Sequence, residues 1–419
     1  MLPAFPSPVW TERMTQALAQ GVKGGRWFSL IDKVYDPRTL REAFRQVKAN
    51  RGSPGIDHQS VEMFEERSGE YIDKLARMLR EKTYAPNPIK RVWIPKPGSR
   101  EKRPLGIPSV RDRVVQTALR LVIEPIFEHG FAEHSYGFRP GRGCKDALRR
   151  VDALLKQGYV HVVDADIKGY FDAIDHNRLM NLVETRIADS PILGLVRSFL
   201  DQRVMESARQ WSPETGSPQG AVISPLLSNI YLDPFDHLME EAGFAMVRYA
   251  DDWVVLCDAP EGAEAALALA KQWMEQSKLT LHPEKTRIVD ASREGFDFLG
   301  YRFERGHRRP SRKSTGKLKD AIRAKTKRTN GHSLSVIVAS INRTLVGWFE
   351  YFKHGCRSSF PPIDGWIRAR LRNILRKRMK KKGRAKGSDH QRWKNAFFAA
   401  HGLFSLTEAR LAVCCSRHG

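Results

Sequence analysis

The sequence predicts an α+β body followed by an all-helical, strongly basic region. Three observations carry this. Short β-branched runs alternate with helix-periodic segments up to about residue 307, the mark of a mixed fold. Beyond 308 the strand signals stop and three helix-length segments follow. Residues 301–419 hold 30 Lys+Arg against 6 Asp+Glu, while residues 1–300 hold 41 of each, so the whole net charge of +24 falls in the last 119 residues. Hydrophobic residues make up 41% and aromatics 9%, which excludes a disordered polycation. No apolar run reaches the roughly 18 residues of a membrane span. The start, with Pro3, Pro6 and Pro8, lacks a basic-then-apolar leader. A soluble, cytoplasmic protein with no membrane partner is expected. None of the five cysteines forms a C-x-x-C pair, which argues against a thiolate zinc site and a disulfide framework.

Residues 1–35, with Gly21, Gly24 and Gly25, are expected to form an irregular arm. Asp36-Pro37 opens a helix, because Asp accepts from first-turn amides and Pro suits the first position. Leu40, Phe44 and Val47 give it one apolar face, and Gly52 to Gly55 stop it. A second helix over about 69–81 turns Ile72, Leu75, Met78 and Leu79 inward. Val92-Trp93-Ile94 reads as a strand, Pro95-Lys96-Pro97-Gly98 as a turn, and 111–128 as a helix. A β-branched strand follows over 159–167, a helix from about Asp175, and a mostly helical stretch over 221–241. The runs 245–249 and 253–256 flank a tight acidic turn, a hairpin signal. A helix over 261–277 and a strand over 296–303 close the body.

In the basic region helices are expected over 314–328, 333–353 and 362–382. Ser333 caps the second, whose apolar face includes Val336, Ile337, Ile341, Leu345, Trp348 and Phe352. The third turns Ile363, Trp366, Ile367, Leu371 and Ile374 inward. Around them lie Arg368, Arg370, Arg372, Arg376, Lys377 and Arg378, running into Lys380-Lys381-Lys382. Such a helix packs by its seam and offers cations outward. Nucleic acid is the first candidate partner, since phosphate contacts release counterions.

Two acidic features stand out. Tyr249-Ala250-Asp251-Asp252 sets two carboxylates in the hairpin turn. In the strand over 159–167, period-2 alternation puts Asp164 and Asp166 on one face. Beside the hairpin, three or four carboxylates would converge and repel one another unless a cation binds. Hard oxygen donors favour Mg²⁺, and a pair of such ions supports in-line phosphoryl transfer. No G-x-x-x-x-G-K-[ST] loop is present.

Short runs in a fixed order then carry a resemblance. They are Asn50-Arg51-Gly52-Ser53-Pro54-Gly55-Ile56-Asp57, Ile94-Pro95-Lys96-Pro97-Gly98 and Arg103-Pro104-Leu105-Gly106-Ile107-Pro108 with Asp112-Arg113. Next come Ser135-Tyr136-Gly137-Phe138-Arg139-Pro140-Gly141-Arg142 and Asp166-Ile167-Lys168-Gly169-Tyr170-Phe171-Asp172 with His176. Gly216-Ser217-Pro218-Gln219-Gly220 with Ser224-Pro225-Leu226-Leu227, the turn at 249–252, Lys285 and Phe298-Leu299-Gly300-Tyr301 follow. Gly347-Trp348-Phe349-Glu350-Tyr351-Phe352 and Gly365-Trp366-Ile367 close the series. Over residues 50–382 the chain resembles bacterial group II intron reverse transcriptase/maturases.

The resemblance implies a right-hand polymerase fold, with fingers and part of the palm over 36–158, palm over 159–307 and a helical thumb or maturase domain over 308–382; the arm over 1–35 lies outside the resemblance, and a basic tail over 383–419 follows. It implies an RNA-directed DNA polymerase with two Mg²⁺ ions, Mn²⁺ as a substitute, that also binds its parent intron RNA. Asp166, Asp251 and Asp252 would hold the metals, with the Ile167 carbonyl as a further ligand; Asp166 is chosen over Asp164 because the family aromatic follows it by five residues. That aromatic, Phe171, would lie under the incoming sugar and exclude a 2′-hydroxyl. Lys96 and Arg103 would grip the triphosphate, Gln219 and Gly220 would sit by the new base pair, and Lys285 would protonate pyrophosphate. Arg139, Arg142, Arg368, Arg372, Arg376, Lys377 and Arg378 are the candidate nucleic-acid contacts. Implied partners are intron RNA, an RNA template with DNA primer, a DNA target and dNTPs, with a homodimer open and association with the bacterial nucleoid during mobility.

Some readings stay plain. The run 137–142 also reads as a turn with two solvated cations, Phe138 and Phe171 as core aromatics, and His176 as a hydrogen-bonding residue near a helix start. Ala221 stands where the family usually has Gly. No Cys pairs or His-Asn-His-type spacing follow the thumb, so the compact type without an endonuclease is expected. The rival readings are a reverse transcriptase recruited to defence or repair, a splicing maturase with little polymerase activity, and an RNA-templated RNA polymerase, against which bulky Phe171 argues.

Overall fold

The computed structural model describes residues 9–95, 102–206, 209–211, 213–217 and 220–415. It divides into two compact units, Met1–Ile288 and Val289–Gly419.

The first unit begins with a helix where an irregular arm was expected. Thr11 accepts from the Met14 amide and caps Glu12–Gln20. Val9, Trp10, Met14 and Leu18 are buried, and Trp10 Nε1 donates to the Leu121 carbonyl at 3.2 Å. The stripe that anchors this helix is only Met14 and Leu18, one turn apart, too short to raise a periodic signal. The helix Pro37–Asn50 starts at Asp36, whose side chain accepts from the Arg38 amide. A short helix at Val61–Glu66 precedes Ser68–Arg80. Val110–Glu128 is buried on almost every side and forms the axis of this part.

Among the described residues eight strands follow in chain order: β1 (Ile89–Pro95), β2 (Lys102–Ile107), β3 (His161–Asp166), β4 (Val204–Glu206), β5 (Arg209–Trp211), β6 (Ala245–Tyr249), β7 (Asp252–Cys257) and β8 (Arg287–Asp290). They form two four-stranded sheets, ordered β2-β1-β4-β5 and β6-β7-β3-β8. In the second sheet Val162, Val163 and Ala165 of β3 and Trp253 to Cys257 of β7 are buried. The helices Ser224–Glu241 and Pro260–Gln276 pack on it, with the Phe235 ring 5.2 Å from Trp253 and 5.0 Å from Trp273.

The second unit opens with a meander, β9 (Phe296–Phe298), β10 (Tyr301–Glu304) and β11 (His307–Pro310), ordered β11-β10-β9. The single strand expected over 296–303 is broken at Leu299 (φ 47°) and Gly300 (φ 79°). Tyr301 lies 4.9 Å from Phe352 and its hydroxyl donates to the Tyr351 carbonyl at 2.6 Å. These contacts join the meander to the helices of the second unit, which begins at Val289. Helices Arg312–Lys325, Leu334–Phe352 and Pro361–Arg378 follow. Ser333 caps the second, but Val336 is 53% exposed and leaves the predicted seam. The basic tail expected over 383–419 forms helices Gly387–Arg392, Asn395–Ala400 and Leu406–Cys415. Trp393, Phe398 and Leu406 bury with Ile341, Phe360 and Leu371. Asp364 accepts from the Leu406 and Thr407 amides at 3.1 and 3.0 Å, fixing the last helix.

Candidate active site

β3 and β7 are antiparallel neighbours, and their register sets Asp166 opposite Asp252. Residues so opposed have Cβ atoms about 5 Å apart. The two-residue link Ala250-Asp251 closes the β6–β7 hairpin, with Tyr249 paired to Asp252 and Ala250 in the left-handed region at φ 59°. Burial, reinforced by the Asp166 charge, raises the Asp251 carboxyl above its ordinary value. Lys285 Nζ donates to Asp166 Oδ2 at 2.6 Å. Asp164 shares the Asp166 face but pairs with Arg287 at 3.4 Å, so it is separated from the turn by a partner of its own.

Beyond β3 the Asp166 carbonyl accepts from His282 N at 2.7 Å, and Lys168 N donates to the Thr280 carbonyl at 2.8 Å. Strand alternation then turns the Ile167 carbonyl to the opposite side, toward β7. Among the described residues no three His, Cys, Asp or Glu side chains gather into a ready-made metal cluster. Asp166 is drawn to Lys285 and Asp164 to Arg287. The donor set of carboxylate and main-chain oxygens fits a hard cation that completes its shell with water and phosphate.

The turn is braced by a buried cation that sequence reading missed. Arg248, 1% exposed, pairs with Asp236 at 2.5 Å and donates to Asn229 Oδ1, Ser135 Oγ and the Ala250 carbonyl. Its signal was a lone Arg in the apolar strand Ala-Met-Val-Arg-Tyr. Asn229 Nδ2 also donates to the Gly137 carbonyl at 2.8 Å. Gly137 abuts the turn: a Cβ there would stand 2.8 Å from the Tyr249 carbonyl carbon and nearer still to the Ala250 nitrogen. Glycine is required by that approach, not by its torsions. A second hidden support is Asp112, fully buried, which accepts from Tyr84 at 2.6 Å and the Asn87 amide at 2.9 Å.

The nucleotide candidates divide. Lys96 and Gln219 lie outside the described residues. Arg103 is exposed on β2. Gly220 (φ 109°) backs onto β2, where a Cβ would meet Leu105 Cδ1 at 2.8 Å. Ala221 is buried, so its methyl faces the interior. Phe171 follows Gly169 in the short helix Tyr170–Ala173; it is half-buried, 5.4 Å edge-on to Tyr170, and its carbonyl accepts from Ser217 N at 2.7 Å. His176 meets the Gly216 carbonyl at 2.7 Å, the hydrogen-bonding role expected of it.

The candidate nucleic-acid contacts also divide. Arg139 is turned inward: its guanidinium pairs with Glu128 and donates to the Ala132 and Ser135 carbonyls, with the side chain 2% exposed. Its charge is spent on an internal carboxylate. Arg372 is buried too, donating to the Trp393 carbonyl and Asn395 Oδ1. Arg376 is held by Asp389 at 2.6 Å. Arg142 donates to the Glu133 carbonyl yet stays half-exposed, and Arg368 is half-buried. Arg378 is tied to the His332 carbonyl. Lys377 lines a cleft of about 470 Å³ with Arg328, Lys380, Lys381, Lys382 and Gly383, a concave surface lined by five cationic side chains.

Residues 94–303 match the family model described as reverse transcriptase (RNA-dependent DNA polymerase), half of the chain. This chain belongs to the reverse transcriptase family. As a reverse transcriptase it is an RNA-directed DNA polymerase. Residues 315–393 match a second model, the group II intron maturase-specific domain. Protein YkfC of Escherichia coli K12 is 33% identical over 317 residues, covering 66% of this chain and 83% of that protein. The group II intron-encoded protein LtrA of Lactococcus lactis subsp. cremoris is 38% identical over 196 residues, covering 46% of this reverse transcriptase and 32% of LtrA. An uncharacterized 91 kDa protein in a cob intron of Schizosaccharomyces pombe is 36% identical over 200 residues, 47% of this chain and 24% of that protein. The matched part thus spans a third or less of both intron relatives. No helix of the described residues is long and apolar enough to cross a membrane.

Proposed function

We propose that this reverse transcriptase extends a DNA primer on an RNA template through a two-Mg²⁺ centre held by Asp166, Asp251, Asp252 and the Ile167 carbonyl. Mn²⁺ would serve as a substitute. The observation that carries the reading is the register of Asp166 against Asp252, beside an Asp251 carboxyl raised by burial and by Asp166. Divalent ions bound there would stabilise charge on the attacking and leaving oxygens. The protein's own residues do the rest. Phe171 packs under the incoming sugar and leaves no room for a 2′-hydroxyl. Arg103 holds the triphosphate, and Gly220 lets the β2 backbone close on the new base pair. Lys285, already within 2.6 Å of Asp166, is within reach to give its proton to departing pyrophosphate.

The basic second unit binds intron RNA in this reading, assisting splicing and mobility toward a DNA target. The maturase-domain match and the cationic cleft at Lys377 and Lys380–382 support it. Arg139 and Arg372 drop out of the phosphate-binding set because their donors are used internally. The test is run-off synthesis from an RNA template with dNTPs. Synthesis that stops on chelation of divalent ions and resumes on adding Mg²⁺ is expected. Synthesis indifferent to chelation would overturn the metal assignment.

A further inference from the structure

Phe138 has no part in the site as described, yet it lies beside it. It is 50% exposed, in the left-handed region at φ 58°, with its ring 6.3 Å from that of Tyr249. A non-glycine residue in that region costs about 1 kcal/mol and persists where its surroundings dictate it. The surroundings are rigid on both sides. Tyr136 N donates to the Arg248 carbonyl at 2.9 Å, and Gly137 is pressed on the turn. Arg139 then pairs with Glu128 and donates to two carbonyls. The loop is thereby locked to β6 and to the Asp251-Asp252 turn, and an apolar ring is held out at the end of it.

We infer that Phe138, with Tyr249, forms a ledge that seats the 3′-terminal nucleotide of the primer. This role rests on the polymerase reading above, and the side of the carboxylates on which each group lies decides it. In-line transfer sets the attacking oxygen and the departing pyrophosphate on opposite faces of the transferred phosphorus. The groups assigned to the incoming nucleotide, Phe171 and Lys285, gather at β3. The sheet order β6-β7-β3-β8 puts β6, and the loop carrying Phe138, at the other side of the carboxylates. The primer end must approach from there. The exposed Phe138 ring, backed by the half-buried Tyr249, offers its face to a base or the apolar side of a sugar, a contact indifferent to sequence.

The test compares Phe138→Ala, Phe138→Tyr and Phe138→Gly with the wild type in steady-state extension on an RNA template. Primer-duplex and dNTP concentrations are varied separately, and each protein is melted. Loss of one stacking contact corresponds to about a tenfold rise in the primer KM. That rise is expected for Ala and Gly, with dNTP KM and melting temperature unchanged, and Tyr should stay near wild type because it keeps the ring. Gly removes the ring while accepting the backbone torsion without strain. An unchanged primer KM in the Ala variant overturns the proposal. So does a normal primer KM in the Gly variant, which would make backbone strain the cause, or a loss of stability alone, which would make Phe138 a structural residue. Absence of extension by the wild type would overturn the polymerase reading itself, whereas wild-type extension with these outcomes removes only the role of Phe138.

Discussion

Gly137→Ala probes the link between the loop at 135–139 and the carboxylate turn. A methyl at this position stands 2.8 Å from the Tyr249 carbonyl carbon, whereas ordinary contact begins near 3.4 Å. The loop or the turn must move by at least about 0.6 Å, and by more to clear the Ala250 nitrogen. Neither side yields easily. The Gly137 carbonyl is held by Asn229, and the turn by the buried Arg248–Asp236 pair. Over-packing of this kind costs about 1–3 kcal/mol. Misplacement of reacting groups by about 1 Å costs about 100-fold in rate. The expected result is a fall in single-turnover extension of about 10- to 100-fold, a melting temperature lower by a few degrees, and RNA binding unchanged. Gly69→Ala is the control, since that helical glycine has nothing within 4 Å of its Cβ position. Wild-type extension and melting in Gly137→Ala would refute the claim that this contact sets the turn.

Two further outcomes are expected. Phe171→Ala should relax sugar discrimination by about tenfold to 100-fold, the range for a steric pocket contact; unchanged ratios of dNTP to NTP incorporation would remove its gate role. Replacing Lys377, Lys380, Lys381 and Lys382 with Ala should flatten the dependence of RNA affinity on salt by up to about 3 in log–log slope, at about 0.7 per phosphate contact. An unaltered slope would move the main RNA contact away from this cleft.

The elements proposed to carry the chemistry were legible because their signals are local. The β-branched run ending at Asp166, the Tyr-Ala-Asp-Asp turn and the caps at Asp36 and Ser333 all specify themselves within a few residues. The misreadings came where tertiary contact decides. The N-terminal helix buries only one Met and one Leu, and Trp10 just before it bonds to Leu121, a hundred residues on. The segment 383–419 reads as a charged tail, yet Trp393, Phe398 and Leu406 are sparse anchors in a shared core. The sequence pattern turns Arg139 and Arg372 outward. Both face inward, as does Arg248, because a guanidinium with five donors can satisfy several carbonyls and a carboxylate at once. Pattern alone does not tell such an arginine from a phosphate-binding one. Asp166 and Asp164 were tied in the alternation, and the structure separates them by their partners, Lys285 for one and Arg287 for the other.

The most direct measurement is primer extension on an RNA template with dNTPs and Mg²⁺, wild type beside Asp251→Asn, with RNA affinity measured on the same preparations. Extension by the wild type alone and equal RNA binding by both are expected, because the Asp251 charge would serve the proposed metal centre while the cationic cleft lies in the second unit. Extension by Asp251→Asn at the wild-type rate would contradict it.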